Sequence, residues 1–237
     1  MTSVRHSATT HVGLVRTVNE DSVLALPDRR LWIVADGMGG HAAGDFASQT
    51  VVEAAATLPA GLSPVDQLGA LRVALAGAHE AIREEAARLG VPVIGAAIVA
   101  LMLAEGHFVG LWAGDCRLYR LRDGAIELLT TDHSVVGALV QAGQMSWDEA
   151  ELHPQSNAIT RAAGVGEVLD LDKVQGETRP GDRYILCSDG LTKYAGFETL
   201  RETACGAPLE VVADRLLQVA LRGGGADNIS IIVVDVA

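Results

Sequence analysis

Four aspartates form the pattern in this chain that could do chemistry, because each falls where a short apolar run begins or stops. The run 31–35 ends in Asp36-Gly37, the run 108–113 in Gly114-Asp115, and the run 184–187 passes through Ser188 into Asp189-Gly190. Asp227-Asn228 directly precedes the run 229–234. Taken singly, Asp-Gly after a strand reads as a hairpin turn. Taken together, the four imply more. Strand ends of one sheet system converge in space, and gathered carboxylates repel each other unless cations hold them. Hard divalent cations, with oxygen ligands and retained waters, are the natural partner of an all-aspartate cluster. The stretch Asp36-Gly37-Met38-Gly39-Gly40-His41 adds glycines just before a helix expected from about Ala42, where backbone can approach a ligand closely. Its plain alternative is a tight strand–helix turn. No Gly-Lys-Ser/Thr follows, which excludes a P-loop, and the glycine spacing is not that of a dinucleotide-binding turn.

The elements that must position these residues are of two kinds. Apolar runs at 31–35, 97–103, 108–113, 184–187 and 229–234 predict buried strands from their length and β-branched content. Helical spacing links Ala43, Phe46, Ala47, Thr50, Val51 and Ala54. It links Leu68, Leu71, Leu75, Ala78 and Ile82 in a second helix, and Leu209, Val212, Ala213, Leu216 and Leu217 in a third, which follows Pro208. Two long helices follow one strand, and strands then succeed one another with only turns between. That order is not βαβ alternation. It predicts an α+β fold of antiparallel sheets covered by helices. A polar, mixed stretch at 134–157 interrupts the strands and reads as an inserted flap. No repeat or low-complexity tract divides the chain, so one domain over 1–237 is expected.

Composition excludes several classes. Eighteen Lys and Arg stand against 30 Asp and Glu, and a net charge of −12 repels a phosphate backbone, so no nucleic-acid partner is expected. An apolar fraction of 49% and a mean hydropathy of +0.26 rule out a disordered chain. No run reaches the roughly 18–20 apolar residues of a membrane span. The first six residues lack the apolar core of a signal peptide, so a soluble, cytoplasmic protein is expected. Cys116, Cys187 and Cys205 are odd in number and lack ligand spacing, which argues against zinc sites and disulfide scaffolds.

Seven stretches, in order, now matter together: Arg16-Thr17-Val18-Asn19-Glu20-Asp21, Asp36-Gly37-Met38-Gly39-Gly40-His41, Ala113-Gly114-Asp115-Cys116-Arg117, Thr131-Asp132-His133-Ser134, Asn157-Ala158-Ile159-Thr160-Arg161, Cys187-Ser188-Asp189-Gly190-Leu191-Thr192 and Gly225-Ala226-Asp227-Asn228-Ile229. This set resembles the ordered motifs of the metal-dependent serine/threonine protein phosphatases of type 2C, and more closely their bacterial branch. The resemblance runs from about residue 8 to the C-terminus. It implies a four-layer α-β-β-α sandwich with a pair of Mn²⁺ or Mg²⁺ ions at the strand ends. Asp36 would bridge both ions, the Gly37 carbonyl would complete one, and Asp189 and Asp227 would hold the other. Asp115, with Asp189, matches the position of a third, weaker ion. Glu20 and Asp21 would order bound waters, and Arg16 would grip the substrate phosphate with its fork. The implied reaction is hydrolysis of phosphoserine and phosphothreonine on proteins by direct attack of a metal-bridging water or hydroxide, without a phosphoenzyme. Substrates of a cognate kinase are the implied partners, and a monomer is expected.

Departures from the pattern are informative. Met38 fills the position of a candidate acid, with His41 as a possible substitute and ordered water as the alternative. Gly95-Ala96-Ala97 replaces a hydroxyl-bearing strand, which predicts altered packing only. Cys116 beside Asp115 predicts a raised thiol pKa. His133 reads as a loop hydrogen-bonding residue, Trp147 as an anchor for the flap, and Arg161 as a member of an internal ion pair. Arg117 and Arg120 read as a solvated or bridging face. A different class of function, a non-enzymatic phosphoprotein-binding scaffold, would be marked by loss of a bridging aspartate, and none is lost.

Overall fold

The computed structural model describes residues 3–39 and 43–237, side chains of 148 and 151 excepted. With elements numbered in chain order, one sheet has the order β1 (Val4–His11), β10 (Ile229–Val236), β9 (Arg183–Cys187), β6 (Arg117–Arg122), β7 (Ala125–Leu128). The other has the order β2 (Asp21–Leu26), β3 (Leu31–Met38), β4 (Gly95–Ala104), β5 (His107–Ala113), β8 (Asp172–Glu177). Each strand pairing is antiparallel.

The central strands are continuous apolar runs because both of their faces are covered. Along β3, Leu31, Ile33 and Ala35 pack beneath α1 (Ala43–Ala56) and α2 (Pro64–Leu89) with Val51, Leu71 and Leu75. The alternate residues Trp32 and Val34 meet Tyr184, Leu186, Ile232 and Val234 of the opposite sheet. On the far side, Ile185, Ile231 and Val233 lie under α6 (Phe197–Ala204) and α7 (Leu209–Gly223). Four layers result, as the family resemblance implies. The Ser63 side chain accepts from the Asp66 N–H, Pro64 takes the first helical position, and Gly90 ends α2 in the left-handed region at φ 68°. Among the described residues no helix is long and apolar enough to cross a membrane.

Between β7 and β8 the flap carries α3 (Val135–Gln141) and α4 (Trp147–Glu151), each started by a serine cap at Ser134 and Ser146. A bridge between Ser134 and Ile159 closes its base. Arg117 corrects the reading of a solvated or bridging face. It is 6% exposed, and its guanidinium grips Asp132 at 2.8–3.2 Å. Arg120, three positions on, points to the opposite face, over the ring of Phe108.

Candidate active site

Antiparallel pairing places the four aspartates at one end of the sandwich. Asp21 opens β2 opposite Asp36 near the end of β3, and Asp36 faces Ala97 on β4. Asp115 lies in the turn from β5 to β6. Asp189 follows β9 and starts α5 (Asp189–Thr192), and Asp227 lies just before β10. Asp36, Asp115, Asp189 and Asp227 line one pocket of about 260 Å³ with Arg16, Glu20, Gly37 and Lys193. A larger groove of about 690 Å³, beside Arg29 and Glu105 at the far end of β3 and β4, contains no such convergence of acids. Chemistry rather than size therefore marks the site.

Close packing fixes the backbone here. The Gly37 N–H donates to the Glu20 carbonyl at 3.1 Å. A Cβ at Gly37 would stand 2.0 Å from the Gly44 carbonyl oxygen, so only glycine fits. Asn228 clamps the segment that carries Arg16. Its side-chain amide donates to the carbonyls of Val12 and Val18 at 2.9 Å each and accepts from the Glu20 N–H at 2.8 Å. The Ser188 hydroxyl donates to Asp21 at 2.8 Å. Sequence reasoning passed over Asn228, Ser188 and Lys193 as site residues. Their only local signal is adjacency to a motif aspartate, or one helical turn from it.

Electrostatics set this cluster apart. Burial, followed by the charges of Asp21, Asp189, Asp115 and Asp227, pushes the Asp36 carboxyl well above the usual carboxylate range. Burial, then Asp189 and Asp132, does the same to Asp115. Asp21 is pushed up to about 7, chiefly by burial. Asp227 goes the other way. Burial opposes its ionisation, but Lys193 and Arg16 outweigh burial and hold it below the usual range. The Arg16 fork meets Asp227 at 2.9 and 3.1 Å. The Lys193 ammonium lies 2.8 Å from Asp189 and 3.0 Å from Asp227.

These residues fit a hard divalent cation. The converging donors are oxygens, Asp21 Oδ1 is buried without a hydrogen-bond partner, and burial, then repulsion from neighbouring acids, suppresses ionisation of Asp36 and Asp115. Among the described residues no trio of acids, histidines or cysteines is already closed on one point, and Arg16 and Lys193 supply the neutralising charge. The expected ligands Asp36, Gly37, Asp189, Asp227 and Asp115, with Glu20 beside them, share this pocket, and Asp21 lies directly behind it. His41 lies outside the described residues.

The other candidates have structural partners. The Gly114 N–H donates to His133 Nδ1 at 3.2 Å, and His133 Nε2 is 3.1 Å from Asp172. Arg161 pairs with Asp170 and Asp172. The Trp147 ring lies 4.3 Å from the Arg117 guanidinium carbon and holds the flap to β6. Ala96 exchanges backbone hydrogen bonds with Ala163. Cys116 and Arg122 have the Cys-x₅-Arg spacing used in thiol–phosphate chemistry, but the length of β6 separates them. Burial, then Asp36 and Asp115, raises the Cys116 thiol far above its usual range, and Arg122 is bound to Asp182.

The sequence model described as Protein phosphatase 2C matches residues 15–221. The chain is 39% identical over 234 residues to the serine/threonine protein phosphatase PstP of Mycobacterium tuberculosis, covering 98% of this chain and 45% of that protein. It thus spans under half the length of that relative. The structure of PppA, described as a key regulatory component of T6SS in Pseudomonas aeruginosa, superposes with a TM-score of 0.92 at 42% identity and covers 99% of this chain and 98% of that one. The catalytic domain of PstP in complex with two manganese ions superposes at 0.90 and 37% identity over 100% of both chains. The chain therefore belongs to the protein phosphatase 2C family, among its bacterial serine/threonine members.

Proposed function

We propose that the chain hydrolyses phosphoserine and phosphothreonine on proteins in a metal-dependent reaction, without a phosphoenzyme. The observation that carries this is the convergence of Asp36, Asp115, Asp189 and Asp227 with Arg16 in one pocket. Asp36, the Gly37 carbonyl, Asp189 and Asp227 would hold two Mn²⁺ or Mg²⁺ ions, with Asp115 and Asp189 available to a third. When bound, such ions supply an activated water and neutralise the oxygens of an in-line displacement.

The chain's own groups do the rest. Burial favours the protonated forms of Asp36 and Asp115, and a bound cation would favour their ionised forms. Arg16, half-exposed at the rim, turns its fork from Asp227 to two phosphate oxygens. Glu20 and Asp21 order water from behind the ligands. His41 is the candidate proton donor to the leaving alkoxide. The chain's elements form one domain, which acts as a cytoplasmic monomer on proteins phosphorylated by a cognate serine/threonine kinase.

The test is p-nitrophenyl phosphate hydrolysis in EDTA and after adding back Mn²⁺ or Mg²⁺, for the wild type and Asp36→Asn. Activity restored by metal and reduced at least about 10²-fold in the variant is expected. No turnover with either ion, in a protein that still melts cooperatively, would point to a phosphoprotein-binding scaffold instead.

A further inference from the structure

The site contains a cation of its own. Lys193 stands one helical turn after Asp189, and its ammonium bonds both Asp189 and Asp227. Its side chain is 24% exposed, against 51% for Arg16, which reaches Asp227 from the rim. Lys193 also lines an adjoining small pocket with Asp115, Asp132 and Asn157, so it sits between the carboxylate pocket and the flap. Asp189 and Asp227 are the carboxylates that the metal reading assigns to one ion. Lysine and metal therefore claim the same two partners, and the repulsion between like charges makes the ammonium a competitor of the ion for them.

We propose that Lys193 is a resident counter-cation whose ammonium holds Asp189 and Asp227 in the metal-free protein and must be displaced before both carboxylates close on a metal ion. This rests on the metal-site reading above and goes beyond it, because it makes metal affinity a lysine–metal exchange. The ammonium competes with the ion at every metal concentration. A neutral side chain at 193 removes the competitor and leaves the carboxylates in place. An arginine keeps the charge and the competition.

The experiment is Mn²⁺ binding by calorimetry and by electron paramagnetic resonance of the free ion, on wild type, Lys193→Met and Lys193→Arg. Lys193→Met is expected to bind Mn²⁺ at least about tenfold tighter, and Lys193→Arg to stay within about threefold of the wild type. The metal-free Lys193→Met protein should also melt below the wild type, while its rise in Tm on adding Mn²⁺ should be larger. Should Lys193→Met not fold, Lys193→Gln serves in its place, neutral but still able to donate a hydrogen bond. Equal or weaker binding in a folded neutral variant overturns the lysine proposal alone. If no protein binds Mn²⁺, wild type included, the metal-site reading fails and takes the proposal with it.

Discussion

At the residue scale the site divides into what the sequence displays and what only the fold assembles. Asp36, Asp115, Asp189 and Asp227 are legible because each interrupts or adjoins an apolar run, so strand and acid are read together. Asn228 is not legible in that way. Its partners Glu20, Val18 and Val12 lie 208, 210 and 216 positions away, a distance that no local pattern spans. Yet Asn228 fixes both ends of the segment that presents Arg16. Asn228→Ala leaves two carbonyls and one N–H without their partner, each loss costing about 1–3 kcal/mol where water cannot replace it. The expected outcome is a lower Tm, together with a KM for phosphopeptide that rises more than kcat falls, because Arg16 is no longer held in place. Steady-state kinetics at saturating Mn²⁺ checks this. An unchanged KM would show that Arg16 is positioned from elsewhere.

At the element scale, strands buried on both faces were readable and edge strands were not. The runs that became β3, β4, β5, β9 and β10 have apolar residues on both faces, whereas β1 and β8 are mostly polar and lie at sheet edges. β6 was obscured by its arginines, of which Arg117 is a core residue through its partner Asp132. The flap was legible as an interruption but not as two capped helices. Its hold on the body is the stack of Trp147 on Arg117, above a buried bidentate ion pair. Two variants separate these layers. Trp147→Ala removes a contact of about 1–2 kcal/mol, so limited proteolysis should cut within 134–157 faster while Tm moves little. Asp132→Ala takes the bidentate carboxylate from a buried guanidinium and is expected to cost about 3–5 kcal/mol, lowering Tm of the whole domain. Equal proteolysis of wild type and Trp147→Ala would mean that the flap is held at its base alone, by the Ser134–Ile159 bridge.

At the scale of the whole molecule, the acid cluster ties stability to pH, with a sign that metal reverses. Asp36 and Asp115 are pushed well above the usual carboxylate range, first by burial and then by neighbouring acids, and Asp21 reaches about 7 for the same reasons. In the unfolded chain these carboxyls titrate near the ordinary value of about 4. Through the window from about pH 4 to about pH 7, the metal-free folded chain therefore binds more protons than the unfolded one. Its stability falls as pH rises through that window. Asp227 and Asp182 act oppositely, since both are held below the usual range: burial opposes their ionisation, but Lys193 with Arg16 in one case, and Arg122 with the Arg179 N–H in the other, outweigh it. What they contribute is lost only as pH falls below about 4. Burial also raises the Asp132 carboxyl, which adds to the cluster. Burial lowers the His79 pKa, so its contribution is lost as pH falls below its ordinary value of about 6.5, which opposes the acids in part of the window, one group against four. In EDTA, Tm is expected to be higher near about pH 5 than near about pH 8. With excess Mn²⁺ the order should invert, because an ion binds the ionised carboxylates and protons compete with it. Thermal melts across this range, with and without Mn²⁺, decide the matter. Parallel curves in the two conditions would mean that the buried acids and the metal do not share a site.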